Sequence, residues 1–402
     1  MKNEQIKDYI DILGDVAEAL RKAEYHSTQH LPSLRRPPWR AVQELHRLVY
    51  LPYREGFCFH PSAMPDFLAS RFLSGREPLT TAYRLFFLNI PVNTDKAEKL
   101  LGIGLLTKLL ESALIIEVSG ALQSTVRYVP FRKYFILSDP DQGADRLTDF
   151  YVYVGGDSME LIRFVNRRLN PEERFGKGLD LCAGTAVQSY NLVDRCDTVT
   201  AAELNHRAVN FAEVTAMING MDRIKVIQSN LWDSIDDSFD IIIANPPYIP
   251  IPDNEVSNRN IDAYGGGDSG MEIPLRIVEG LGSHLNHNGY SAILASSPVI
   301  RGKDLLRKEL EPIADRHGLE IVLHGWKYTN LKLNMQLQTE RNISHFVFYV
   351  IESRKTGSGS VTVRHKFRRI PELIYTRAEK AALLKICRLF NTKRPIHVQD
   401  QY

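Results

Sequence analysis

Between residues 239 and 252 the chain reads FDIIIANPPYIPIP, an apolar run that meets Asn245-Pro246-Pro247-Tyr248. Two consecutive prolines fix φ and remove two backbone donors, so a strand cannot continue through them. The asparagine amide and the tyrosine ring are therefore held at a strand end, in a stiff and poorly hydrated corner. Upstream, the strand Gly178-Leu179-Asp180-Leu181 runs into Cys182-Ala183-Gly184-Thr185-Ala186 and then a helix. Small residues at that turn let a nucleotide-like ligand approach the backbone closely. Twenty-three residues after Asp180, a second strand ends in Ala202-Glu203-Leu204-Asn205, where an acid can accept both hydroxyls of a ribose. Alone, one glycine among small residues is common in αβ proteins, and Glu203 also fits a helix cap or a surface charge. Together the features are more specific. The loop, Glu203, Asn230 in QSNLW and the Asn-Pro-Pro-Tyr corner follow in order, one strand–helix unit each, on the same carboxyl edge of a sheet.

The elements that must position them begin near Val152. YVYVGG, a helical DSMELIRFVNRRL, KGLDLCAGTAVQSYNLV, TVTAAELNHRAVNFAEVTAMING, IKVIQSN, FDIIIANPPY, EIPLRIVEGLGSHL and GYSAILASS alternate short apolar strands with amphipathic helices. That rhythm predicts βαβ units and a parallel sheet covered by helices on both faces. DLLRKELEPIADRHGLEIVLHGW adds a helix and a strand, and SHFVFYVIE reads as a closing strand.

Ahead of this region, residues 3–25 carry Ile6, Ile10, Leu13, Val16 and Leu20 at a helical period. HLPSLRRPPWR is a proline-broken connection, and further helical text lies at 40–49 and around 80–88. Residues 95–116 read as two short helices joined near Gly102–Gly104, and EVSGALQSTVRYVPFRKYFILSD as two strands around a Ser-Gly turn. Helix, helix, hairpin is the order of a winged-helix unit, a module that binds DNA in some proteins and packs or dimerises in others. At the other end, KTGSGS (355–360) reads as a flexible linker.

The totals set outer limits. A chain of 402 residues exceeds one compact core, and 44% hydrophobic with 24% charged residues is ordinary for a soluble globular protein. No apolar run reaches the roughly 20 residues that span a bilayer, and the charged N-terminus lacks the apolar stretch of a secretion signal. Cytoplasmic is the default expectation. Cys58, Cys182, Cys196 and Cys387 form no CxxC pair, so neither a zinc site nor a disulfide framework is indicated. The net charge of +2 is uneven: residues 354–402 hold 12 Lys/Arg against three Asp/Glu, a net +9, which leaves −7 on the rest. Such a tail suits an acidic partner or nucleic acid, or is a solvated basic helix.

These residues resemble a class I S-adenosylmethionine-dependent methyltransferase of the group with an Asn-Pro-Pro-Tyr motif. Within it, residues 150–352 look most like the release-factor glutamine methyltransferases and their methyltransferase small domain relatives. Tyr248-Ile249-Pro250 and Gly266-Gly267-Asp268-Ser269-Gly270 match that family's downstream pattern, with Ser269 inserted. The resemblance implies a Rossmann-like, seven-stranded α/β sheet whose last strand is antiparallel. It divides the chain into an accessory domain at 1–140, mainly helical, a methyltransferase domain at 141–354, and a basic C-terminal extension at 355–402. It implies S-adenosylmethionine as cofactor, held by Asp180, Cys182, Gly184, Glu203, Leu204, Asn230, Leu231 and Asn245, and no metal. Two departures are visible: the usual Gly-x-Gly-x-Gly is Cys182-x-Gly184-x-Ala186, and Asn230 stands where relatives usually have Asp.

By the same resemblance, the Asn245 side-chain oxygen and the Pro246 carbonyl accept the two hydrogens of a target NH₂. Pro247 and Tyr248 contact the substrate, Tyr248 stacking on its plane. Asn245, Pro246 and Tyr248 are the expected catalytic residues. The clamp selects a planar NH₂ but not the molecule carrying it. A protein glutamine side chain agrees best with the downstream pattern; a nucleobase in RNA or DNA, or a small-molecule amide, amidine or guanidine, are the alternatives. A methyltransferase-like fold kept only for binding is the non-enzymatic reading.

Overall fold

The computed structural model describes residues 6–30, 75–140, 152–249, 267, 269–329 and 343–365. The expected helix at 40–49, residues 250–266, Asp268 and most of the basic tail lie outside these residues.

Strands β5 (Phe175–Leu181), β6 (Cys196–Glu203), β7 (Ile224–Gln228), β8 (Phe239–Ala244), β9 (Leu285–Ile300), β11 (Leu319–Thr329), β12 (Ile343–Lys355) and β13 (Ser360–His365) form the main sheet. They lie in the order β13-β11-β12-β9-β8-β5-β6-β7, with the two-residue β10 (Lys303–Asp304) pairing β9. β12 runs antiparallel to both β9 and β11, while β5 to β9 pair in parallel. The antiparallel strand expected in SHFVFYVIE is therefore β12, inserted between two others rather than at an edge. Strand order reverses at β5, flanked by β6 and β8, the kind of switch point beside which open α/β sheets take their ligands.

Side chains alternate between two apolar layers, as a strand's period of two requires. Ile242 and Ala244 face helices α8 (Glu272–His284) and α9 (Leu305–His317), with Ile277, Leu281, Leu306 and Leu310. Ile241 and Ile243 face α5 (Gly156–Arg168), α6 (Val187–Leu192) and α7 (His206–Ile218), with Leu161, Val165, Leu192 and Phe211. Both faces of β8 are covered, which is why its sequence is a continuous apolar run.

The second layer extends without a break into the N-terminal elements. α1 (Ile10–Lys22) contributes Leu13, Val16, Ala17 and Leu20 to the same core. The join is also polar: Asn219 pairs with the Phe135 backbone at 3.0 and 2.8 Å, Thr215 accepts from Leu137 N–H at 3.2 Å, and Arg21 donates to Ile218 C=O at 2.8 Å.

α2 (Glu77–Phe86), α3 (Thr94–Leu101) and α4 (Ile103–Glu111) precede the hairpin β1 (Ile115–Val118) and β2 (Ala121–Ser124). Val92 bridges Leu122 antiparallel, so the order is helix, bridge, helix, helix, hairpin, as in a winged helix. The text expected as one hairpin holds two, because β3 (Arg127–Phe131) and β4 (Tyr134–Ser138) follow as a separate pair. Arg132 takes the left-handed φ of 55° at their turn, so no glycine marks it in the sequence.

Two further expectations differ. Within YVYVGG, residues 152–155 form no strand; Val152 instead exchanges 2.8 Å hydrogen bonds with Asp139 at one point. KTGSGS is no free linker: Thr356 and Gly357 donate to Gly318 C=O, and β13 pairs in parallel with β11 from Glu320↔Ser360 onward. The close approach of Gly359 to Asp315, where a Cβ would sit 2.4 Å from its Cα, explains that glycine. No described helix is long and apolar enough to cross a membrane.

Candidate active site

Register places the predicted residues together. Leu181 is level with Ala202 on one side and with Ala244 on the other, and Glu203 is level with Gln228. The turns beginning at Cys182, Leu204, Ser229 and Asn245 thus emerge from one carboxyl edge, on four neighbouring strands.

The first turn alternates in hand: Cys182, Gly184 and Ala186 have φ of 60°, 53° and 59°. These are the three positions that are glycine in the pattern this loop resembles, and each needs the left-handed region. The conformation is kept at two of them by non-glycine residues, at a cost of about 1–2 kcal/mol each. Three backbone bonds hold it: Ala183 N–H to Ala202 C=O at 3.0 Å, Ala186 N–H to Ala183 C=O at 2.8 Å, and Gly184 N–H to Glu203 Oε2 at 2.8 Å. A Cβ built on Gly184 meets nothing within 4 Å, so the loop presents an open cradle there.

Asp180 lies beneath that loop, fully buried. It accepts from Ser189 N–H at 2.9 Å, Ser189 Oγ at 2.7 Å and Gln188 Nε2 at 3.2 Å. Burial pushes its carboxyl up to about 8, opposed by the Ser189 hydrogen bonds and reinforced by the Glu203 charge. Asp180 therefore shapes the start of α6 from below. Burial, then the Glu203 and Asp180 carboxyls, also push the Cys182 thiol well above its ordinary range, so it is no nucleophile at neutral pH.

Glu203 is 9% exposed, and its other oxygen accepts from Asn205 N–H at 2.9 Å. Asn205 in turn caps α7 by accepting from Arg207 and Ala208. Beside Glu203, Leu204 is 48% exposed, an apolar platform at the strand end. Asn230 is exposed, and Leu231 is buried with φ of 51°.

At the fourth turn, Asn245 Nδ2 donates to Ser158 Oγ at 2.9 Å, while its Oδ1 is buried with no hydrogen-bond partner. Pro246 is buried and Pro247 half-buried. Tyr248 is buried; its hydroxyl donates to Asp157 Oδ2 at 3.1 Å, its ring meets the Phe348 ring edge-on at 5.7 Å, and its carbonyl accepts from Ser296 Oγ at 2.6 Å. The ring expected to stack on a substrate is here packed inside the protein. Asp157 and Ser158 were not among the expected site residues: they open the helix read in DSMELIRFVNRRL, and no motif marks them.

The histidines stand elsewhere. His206 Nε2 lies 3.4 Å from Asn210, and His284 stacks on Trp232. His324 and Arg168 converge on Glu352, at 2.7 Å from His324 Nε2 and at 2.7 and 2.8 Å from the Arg168 guanidinium. Burial would raise the Glu352 carboxyl, but those partners override it and hold it at about 2. Among the described residues no group of three His, Cys, Asp or Glu is arranged to hold a metal ion.

Residues 162–258 match the methyltransferase small domain model. The chain is 28% identical over 137 residues to a provisionally named protein N5-glutamine methyltransferase of Methanocaldococcus jannaschii, covering 34% of this chain and 68% of that protein. It is 33% identical over 134 residues to the release factor glutamine methyltransferase of Aquifex aeolicus, covering 31% and 48% respectively. The solved structure of a methyltransferase from Pyrococcus furiosus aligns with a TM-score of 0.33 at 16% identity, over 50% of this chain and 83% of that one. The chain thus spans about two thirds of the first relative and about half of the second. The likeness to the methyltransferase small domain lies in residues 162–258, about a quarter of the chain.

Proposed function

We propose that this protein is an S-adenosylmethionine-dependent N-methyltransferase whose acceptor is the planar side-chain nitrogen of a protein glutamine. The observation that carries the reading is the buried, unpartnered Asn245 Oδ1 at the end of β8, level with the Cys182–Ala186 cradle. An orphaned buried acceptor costs about 1–3 kcal/mol, and a ligand NH₂ is the group that would relieve it.

The residues present fit the cofactor. The Gly184 cradle, Glu203 with Leu204, and Asn230 with Leu231 would hold a nucleoside along the carboxyl edge, with Asp180 supporting the loop from below. Gly184 leaves room for a ligand, Glu203 offers acceptors to paired hydroxyls, and exposed Leu204 gives an apolar surface. When bound, S-adenosylmethionine supplies an electrophilic methyl on a sulfonium, so no metal is needed for the transfer. An amide nitrogen is a poor nucleophile because its lone pair is delocalised. Asn245 Oδ1 and the Pro246 carbonyl accept its two hydrogens and favour a pyramidal nitrogen, with acceptors already aimed where positive charge develops. The two prolines keep that aim fixed.

Glutamine as acceptor is supported by the names of the M. jannaschii and A. aeolicus relatives. The winged-helix-like unit argues against a nucleobase. Residues 94–124 carry Lys96, Lys99 and Lys108 against Asp95, Glu98, Glu111 and Glu117, so the unit has no net positive charge to attract phosphates. The test is transfer of labelled methyl from S-adenosylmethionine into host extract, fractionated into protein, RNA, DNA and small molecules. Label confined to protein, mapped by peptide mass spectrometry to a glutamine side-chain nitrogen, supports the reading. Label in RNA or DNA overturns the acceptor.

A further inference from the structure

The first turn of α5 holds both ends of the Asn-Pro-Pro-Tyr corner. Ser158 Oγ, in a residue only 8% exposed, accepts from Asn245 Nδ2 at 2.9 Å. One residue earlier, Asp157 Oδ2 accepts from the Tyr248 hydroxyl at 3.1 Å, while its Oδ1 accepts from Ser158 N–H at 2.8 Å. The helix is fixed at its far end too, where Arg168 forms a two-pronged pair with Glu352 on β12, the strand whose Phe348 meets the Tyr248 ring. α5 is a strut between the clamp and the antiparallel strand.

We infer that Ser158 is a positioning residue for the proposed transfer: its hydroxyl bonds one end of the Asn245 side-chain amide and so holds the other end in place for the target nitrogen. The inference rests on the function proposed above. A serine hydroxyl both donates and accepts, so it anchors the amide at whichever end it meets. Pro246 and Pro247, which follow Asn245, lack an N–H, and Oδ1 has no partner of its own, so the corner itself does not hold the side chain. Ser158 supplies that anchor from another element. Asp157 acts beside it by pinning Tyr248, so that the backbone between Asn245 and Tyr248 is held at both ends.

The test compares wild type with Ser158→Ala and Ser158→Thr, using labelled S-adenosylmethionine and the glutamine-containing acceptor protein identified in the fractionation. Loss of the hydroxyl is expected to lower kcat at least tenfold, with acceptor KM and cofactor Kd within twofold of wild type. Ser158→Thr, which keeps a hydroxyl, is expected to restore most of kcat. An activity-independent readout is the hydrogen exchange of the Asn245 side-chain amide by ¹⁵N NMR. It should be slow in wild type and Ser158→Thr and fast in Ser158→Ala. A replaced hydroxyl that leaves kcat and amide exchange unchanged would overturn the inference. So would a kcat loss accompanied by a tenfold rise in cofactor Kd, which would put Ser158 on the cofactor instead. If wild type transfers no methyl, the proposed function fails, and the exchange measurement still decides whether Ser158 orients the amide.

Discussion

At the scale of single residues, the loop after β5 shows what a sequence can omit and a structure restore. Its left-handed φ values at Cys182, Gly184 and Ala186 show that the backbone path tolerates the loss of two glycines, the strain being met by bonds to Ala202 and Glu203. Gly184 combines positive φ with open space, so Gly184→Ala should strain the loop by about 1–2 kcal/mol and put a methyl into the cradle. By calorimetry the cofactor should bind at least about tenfold more weakly, about 1.4 kcal/mol. Asn230 is exposed, and replacing it by Asp should not disturb the fold. A carboxylate accepts more strongly from an amino group, so Asn230→Asp should tighten cofactor binding by about three- to tenfold, read in the same titration. Asp180 accepts from three donors in a fully buried site. Asp180→Asn puts an NH₂ among those donors and should lower unfolding free energy by about 1–3 kcal/mol in urea.

At the scale of elements, the strand–helix alternation from β5 to β9 was legible because each unit has its own apolar period and its own terminal punctuation. The four site turns were legible for the same reason: strand ends are marked by Gly184, Glu203, Asn230 and Asn245. Pairings between distant segments were not legible. Nothing in KTGSGS announces that β13 joins the sheet, because that edge is created by β11, forty residues earlier. Nor does DSMEL announce its bonds to Asn245 and Tyr248, which are 87 and 91 residues away. The Arg168–Glu352–His324 cluster likewise joins three elements and has no local signature. It makes a pH prediction. Glu352 sits at about 2 in the folded chain, below its ordinary 4.5, so its contribution is fully present above pH 4.5 and is lost as pH falls from there toward 2. The loss amounts to about 3 kcal/mol. Urea midpoints of wild type and Glu352→Gln should differ clearly at pH 6 and converge near pH 2; a constant gap would show that the charge is not the cause.

At the scale of the whole molecule, the sequence suggested a separable accessory domain at 1–140, whereas the described parts of that region share one apolar core with the α5–α7 face of the sheet. Helix text reveals which face is apolar but not which neighbour covers it. The full chain should therefore unfold in a single calorimetric transition, and a truncation beginning at residue 152 should expose α7 and bind a hydrophobic dye. Two resolved transitions would contradict that shared core. The account's central claim is that Asn245 presents an acceptor to the target nitrogen rather than to the cofactor. The most direct measurement is paired on the intact protein: cofactor Kd by calorimetry and methyl transfer to its acceptor for wild type and Asn245→Ala. The account predicts a fall in transfer of about 10²–10³-fold with cofactor Kd nearly unchanged. Undiminished transfer by Asn245→Ala would contradict it.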